Sequence, residues 1–130
     1  SNPAVKRDFR YIMKQHGGML AKGRLLGVQF CSMLEDGLYF DLAREADKLA
    51  MDIRRIFEDR GFPMLFDSYT NQQYPVLPDH LLAQLEKRFA FCFWEKVDGE
   101  HTAVRVCTSW ATEHRAVKEL VDALDRILGP

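Results

Sequence analysis

One apolar stripe limits what this chain can become. Leu38, Leu42, Ala46, Leu49, Ile53, Ile56 and Phe57 recur at intervals of three and four, and Arg44, Asp47, Lys48, Asp52 and Arg55 fall between them. Only a helix gathers residues so spaced onto one side. A stripe this long needs an apolar surface of matching length beside it. Asp36 is placed to cap the start of this helix, and Gly61 to take the left-handed conformation at its end.

The later sequence supplies that surface. Val117, Leu120, Val121, Leu124, Ile127 and Leu128 predict a final helix, with Thr112 as its cap and Gly129 as its stop. Phe89, Phe91 and Phe93 alternate with Ala90, Cys92 and Trp94, the period of a strand. Asp98-Gly99 predicts a hairpin turn. The return strand, Thr102 to Ser109, puts Val104 and Val106 on one face and Ala103, Arg105 and Cys107 on the other. Met64 to Tyr69 reads as a further strand and Tyr74 to Leu77 as a short one, which Pro75 pushes towards an edge or a bulge. Pro78-Asp79 opens a helix, with Asp79 as N-cap and Leu81, Leu82 and Leu85 as its buried side.

Upstream of the long stripe, residues 4–16 have helical spacing and Gly17-Gly18 stops them. Leu20, Leu25, Leu26, Phe30, Met33 and Leu34 predict a second helix, apolar on most sides, which is surface meant for something outside the chain. The whole is an α+β domain with a small, mostly antiparallel sheet of three to four strands and helices packed on one face. Its open face carries Arg105.

The formal net charge is −1, so no basic field argues for nucleic acid or an anionic membrane. No apolar run reaches the roughly 20 residues of a membrane span. Cys31, Cys92 and Cys107 are an odd set without metal-ligand spacing. Cys92 and Cys107 read as buried thiols, and a reducing cytoplasm is the expected setting. His16, His80, His101 and His114 form no paired motif, so no metal is expected. There is no nucleotide-binding glycine loop and no nucleophile elbow, and as a freestanding enzyme the chain is unconvincing.

Two residues invite a chemical reading. A guanidinium at Arg105 needs an anion or water, and two accounts stand: a partner such as Asp67 or plain solvent exposure, or the bidentate binding of a carboxylate. Lys22, in "HGGMLAKGRLLG", reads first as a surface lysine near Arg24. With the glycine turn and the following helix start it also offers a weak anion contact.

The stretches "GGMLAKGRLLGVQF", "DGLYFDLAREADKLA", "TNQQYPVLP" and "HTAVRVCTSWAT", in that order, resemble the C-terminal part of the threonine aldolase and β-eliminating lyase family. The resemblance runs from about Val5 to the last helix. It implies the small C-terminal domain of a pyridoxal-phosphate enzyme of the aspartate-aminotransferase fold. Residues 4–34 would then meet a cofactor domain absent from this sequence, and the parent would be a homo-oligomer. The family's Schiff-base lysine would lie upstream of Ser1, so Lys22 does not match it and no catalytic residue is expected in this chain. Gly17, Gly18, Met19 and Gly23 match the family's glycine stretch, but its arginine is Leu20 here, which leaves Lys22 or Arg24 as the only substitutes for an anion contact. Arg105 matches the strand arginine that binds the α-carboxylate of the amino-acid substrate. Asn71 matches part of a Thr-Asn pair, for which a turn role is expected. The implied reaction is cleavage of threonine to glycine and acetaldehyde, with this chain inactive alone. The alternatives are a related β-eliminating lyase or aminotransferase, or a freestanding ligand-binding or interaction module.

Overall fold

The computed structural model describes residues 2–129. They fall into two compact units, one ending at Tyr39 and the other beginning at Phe40.

The first unit holds short helices α1 (Pro3–Lys6) and α2 (Phe9–Gln15), then α3 (Arg24–Leu34) and a 3-10 turn at Glu35–Gly37. The single helix expected over residues 4–16 is broken at Asp8, whose φ of 58° is left-handed. Gly17, at φ 74°, ends α2 as expected. The second helix begins at Arg24, because Lys22 and Gly23 form a turn before it. None of these helices has a buried residue. The expected cap at Asp36 does not form: this residue sits inside the 3-10 turn at φ 53°.

The second unit is built around strand β4 (His101–Cys107), which has an antiparallel neighbour on each side. On one side lie β1 (Gln72–Gln73) and β2 (Val76–Pro78). Their pairs with β4, from Gln72 with Cys107 to Pro78 with His101, keep one constant offset, so β1 and β2 are a single line of chain. Pro75 interrupts its ladder, having no N–H to give, yet produces no bulge, and its carbonyl accepts from Val104 N at 3.1 Å. On the other side β3 (Cys92–Lys96) pairs with β4, and the register slips between Phe93 and Glu95. Trp94 is the extra residue of that bulge.

Long helix α4 (Leu38–Glu58), with α5 (Asp79–Leu85) and α6 (His114–Leu128), supplies the other side of the core. Ile53 and Phe57 of α4, Leu81, Leu82 and Leu85 of α5, and Leu120, Ala123 and Leu124 of α6 form one cluster with Leu77 and Val104. This is the expected α+β arrangement, with the helices on the Val104 face. Gly61, at φ 80°, closes α4 as expected, and Phe62 N donates to Phe57 O at 3.0 Å.

Several local expectations fail for identifiable reasons. Met64 to Tyr69 is not a strand: Met64 makes one isolated bridge to Pro75, and Leu65 N donates to Tyr74 O. Downstream of Leu65 the segment bends away from the ladder. The strand expected from Phe89 begins only at Cys92, because Phe89 N still donates to Leu85 O at the end of α5. Thr112 does not cap α6; its Oγ1 accepts from Ser109 N at 2.9 Å, and Glu113 takes the cap position. Asp79 is the first residue of α5 instead of its cap. Its carboxylate accepts from Thr102 Oγ1 at 2.7 Å and from Lys96, tying the helix to the hairpin.

Two consequences can be measured. Phe57 is fully buried, so Phe57→Ala is expected to lower unfolding stability by about 3–5 kcal/mol in urea titration. The ammonium of Lys96, then the hydroxyl of Thr102, hold the Asp79 carboxyl below its ordinary range. A lowered folded-state pKa stabilises above the ordinary value and is lost as pH falls through the folded one. Melting temperature should therefore drop below about pH 4, and Asp79→Asn should flatten that part of the curve while lowering the melting temperature at neutral pH.

Candidate functional site

The pleat of β4 separates core from site. Thr102 and Val104 turn towards the helices and are buried, whereas Arg105 and Cys107 stand on the opposite face with Ala103. Arg105 is opposed by Cys92 on β3. Tyr74, in the interrupted strand on the other side, shares its face. Gln72, opposite Cys107, accepts from the Tyr74 hydroxyl at 2.9 Å and holds that ring in place.

Aromatic rings enclose the guanidinium from one direction. Tyr74 and Trp94 meet edge to face at 4.9 Å between centroids, and Phe66 leans on Tyr74 at 4.4 Å. The Arg105 guanidinium carbon lies 5.9 Å from the centre of the Trp94 ring, within cation–π reach. Trp94 reaches this place because it is the bulge residue, which re-aims its side chain. Phe66 and Trp94 remain 44% exposed, so the cluster is a wall and not a core.

Arg105 has no carboxylate within ion-pair distance among the described residues. Asp67, the partner considered from the sequence, belongs instead to Arg54, at 2.7 Å, and Arg54 also holds Glu58. The Arg105 Nε is buried without a hydrogen-bond partner. A hydrogen bond to the Cys92 side chain holds the guanidinium pKa above its usual value, and the charge of Cys107 adds to this. Burial in the opposite sense is outweighed. The group is thus a permanent cation, half-buried, with one unsatisfied N–H and no anion of its own chain against it.

The cysteines depart from expectation. Cys92 and Cys107 are exposed, not buried, although Ala103 on the same face of β4 is fully buried. Cys31, on α3, is exposed as well. Asn71 does what a turn residue does: its Nδ2 donates to Thr108 O at 2.8 Å, and Thr108 N returns a bond to Asn71 O. Thr108 Oγ1 in turn donates to Ala46 O at 2.7 Å, fastening the end of β4 to α4.

Lys22 and Arg24 belong to the first unit and Arg105 to the second. Lys22, Arg24, Leu25 and Val28 line an open hollow, and neither cation has an ion-pair partner among the described residues. No group of three metal-ligating side chains occurs among the described residues, and no described helix is long and apolar enough to cross a membrane. The aromatic wall is not visible in the sequence, where Trp94 fits a regular alternation; a bulge leaves no local signal in residue types.

The chain is similar to a solved structure of threonine aldolase from Leishmania major, with a TM-score of 0.88 and 34% sequence identity. The match covers 98% of this chain and 37% of that one, so the chain spans little more than a third of the length of the protein it resembles. No family model matches the chain, and no curated protein does. The chain is thus similar, in sequence and in fold, to one part of that enzyme.

Asn71→Ala should remove the latch on β4 without touching Arg105. The expected loss is about 1–2 kcal/mol of unfolding stability, read by urea titration.

Proposed function

We propose that this chain is the small C-terminal domain of a pyridoxal-phosphate lyase that cleaves β-hydroxy-α-amino acids, threonine to glycine and acetaldehyde, and that Arg105 binds the substrate α-carboxylate. The observation that carries the reading is the Arg105 guanidinium, which has no carboxylate against it among the described residues and whose buried Nε lacks a hydrogen-bond partner. Similarity to the Leishmania major threonine aldolase supports the reaction class.

A carboxylate is the anion this geometry favours. Its two oxygens meet two N–H groups of a planar guanidinium in parallel, which a spherical anion does not. Trp94 and Tyr74 limit the directions from which water reaches the cation. Cys92 and Cys107 beside it introduce no competing carboxylate. Fixing the carboxylate fixes the orientation of the α-carbon, and so selects which of its bonds faces the reacting group.

Bound in its own domain, pyridoxal phosphate supplies the electron sink for that bond's cleavage. The residues of this chain fit only a supporting role towards it. Lys22 and Arg24 can meet a phosphate, but their hollow is open and lined by Leu25 and Val28, which encloses nothing. The first unit, with no buried side chain in α1–α3, suits contact with the cofactor domain and with further subunits of a homo-oligomer.

Threonine added to the 15N-labelled chain should shift the Arg105 Nε–Hε resonance at millimolar concentration, and Arg105→Gln should abolish binding measured by calorimetry. In a protein that contains both domains, Arg105→Gln should lower kcat/KM by about 10- to 150-fold, the worth of hydrogen bonds to a charged group. This chain alone should show no threonine turnover. An unmoved Arg105 resonance, or turnover by the isolated chain, would refute the reading.

A further inference from the structure

We propose that Cys92, with Cys107 beside it, is a covalent modification site for carboxylate-bearing disulfides of the glutathione class, and that a group fixed there closes the anion site at Arg105. The inference rests on the reading of Arg105 as a carboxylate site.

Three features converge on it. Cys92 lies directly across the ladder from Arg105, a pairing that brings Cβ atoms to about 4.5–5.5 Å. Cys107 stands on the same face two residues along β4, and both thiols are exposed. Cys92 and Cys107 are thus diagonal to each other across the ladder, and diagonal positions on neighbouring strands lie about 7–8 Å apart. That exceeds the usual Cα separation for a disulfide, so each thiol stays available to an outside reagent. The guanidinium beside them has no carboxylate of its own chain. A reagent carrying a carboxylate is therefore drawn to the place where the sulfur stands.

The exchange balances without any further oxidant. The Cys92 thiol loses its proton to solvent, and its sulfur attacks one sulfur of the disulfide. A new S–S bond forms as the reagent's own breaks, and the leaving half departs with the bonding pair and takes up a proton. The half that stays attached keeps carboxylates within reach of Arg105, which then has its anion permanently. An amino-acid carboxylate can no longer bind.

The test compares iodoacetate with iodoacetamide, two alkylating agents that differ in charge, each at limiting amount. Adducts at Cys31, Cys92 and Cys107 are quantified by peptide mass spectrometry. The iodoacetate-to-iodoacetamide ratio at Cys92 should exceed that at Cys31 by about three- to tenfold. The excess should vanish in Arg105→Gln, persist in part in Arg105→Lys, and fall when threonine is added. Glutathione disulfide should give an adduct at Cys92 that abolishes the threonine-induced shift of the Arg105 resonance, and Cys92→Ser should keep that shift after the same treatment. Equal ratios at Cys92 and Cys31, or an adduct that leaves threonine binding intact, overturn the inference while the carboxylate reading stands. If threonine fails to move Arg105 in the untreated chain, both fall together.

Discussion

The second unit depends on one strand having two incompatible faces. Val104 is nearly inaccessible and packs with residues from α4, α5 and α6. Arg105, its neighbour, needs an anion. Because successive side chains of a strand point to opposite sides, burial of Val104 forces Arg105 outward. Slipping β4 by one residue would drive a guanidinium into the core, at a cost no packing gain offsets. The hydrophobic cluster thus aims the arginine, although it lies on the far side of the sheet from it.

The helices of this unit were legible because their signal is redundant. In α4 the buried Ala46, Leu49, Ile53 and Phe57 repeat one statement, and a single exception such as the exposed Leu38 does not weaken it. Gly61 and the Asp98-Gly99 turn were legible for another reason, since each answers a local backbone demand. Caps were not. Asp36, Asp79 and Thr112 are all suitable capping residues, and each is used differently, two of them through partners elsewhere: Asp79 by Lys96 and Thr102, Thr112 by Ser109. A short polar side chain bonds to whatever stands nearest, and the sequence does not say what that is. Met64 to Tyr69 failed because its residues suit a strand but find a ladder only at Met64 and Leu65.

The site was half legible. A lone arginine among small residues on a strand is visible as a pattern, and its need for an anion follows from the cost of leaving a cation unpaired. Its surroundings were hidden. Tyr74 arrives from a strand 31 positions earlier in the sequence and Trp94 from a bulge, and neither placement follows from periodicity. The exposure of Cys92 and Cys107 does not follow from residue type, since thiols usually behave as small apolar groups; here both are exposed while Ala103 on the same face is buried.

The bulge at Trp94 bears on how such a face can diversify. The pairs on either side of it, Phe93 with Val104 and Glu95 with Ala103, are those of an uninterrupted ladder with one residue slipped in between. Losing that one residue would leave the hairpin turn, Cys92 and the whole of β4 in their present alignment and take away only the indole. The indole's share of the aromatic wall is consequently separable from the frame that aims the arginine, since Tyr74 and Phe66 meet each other without it.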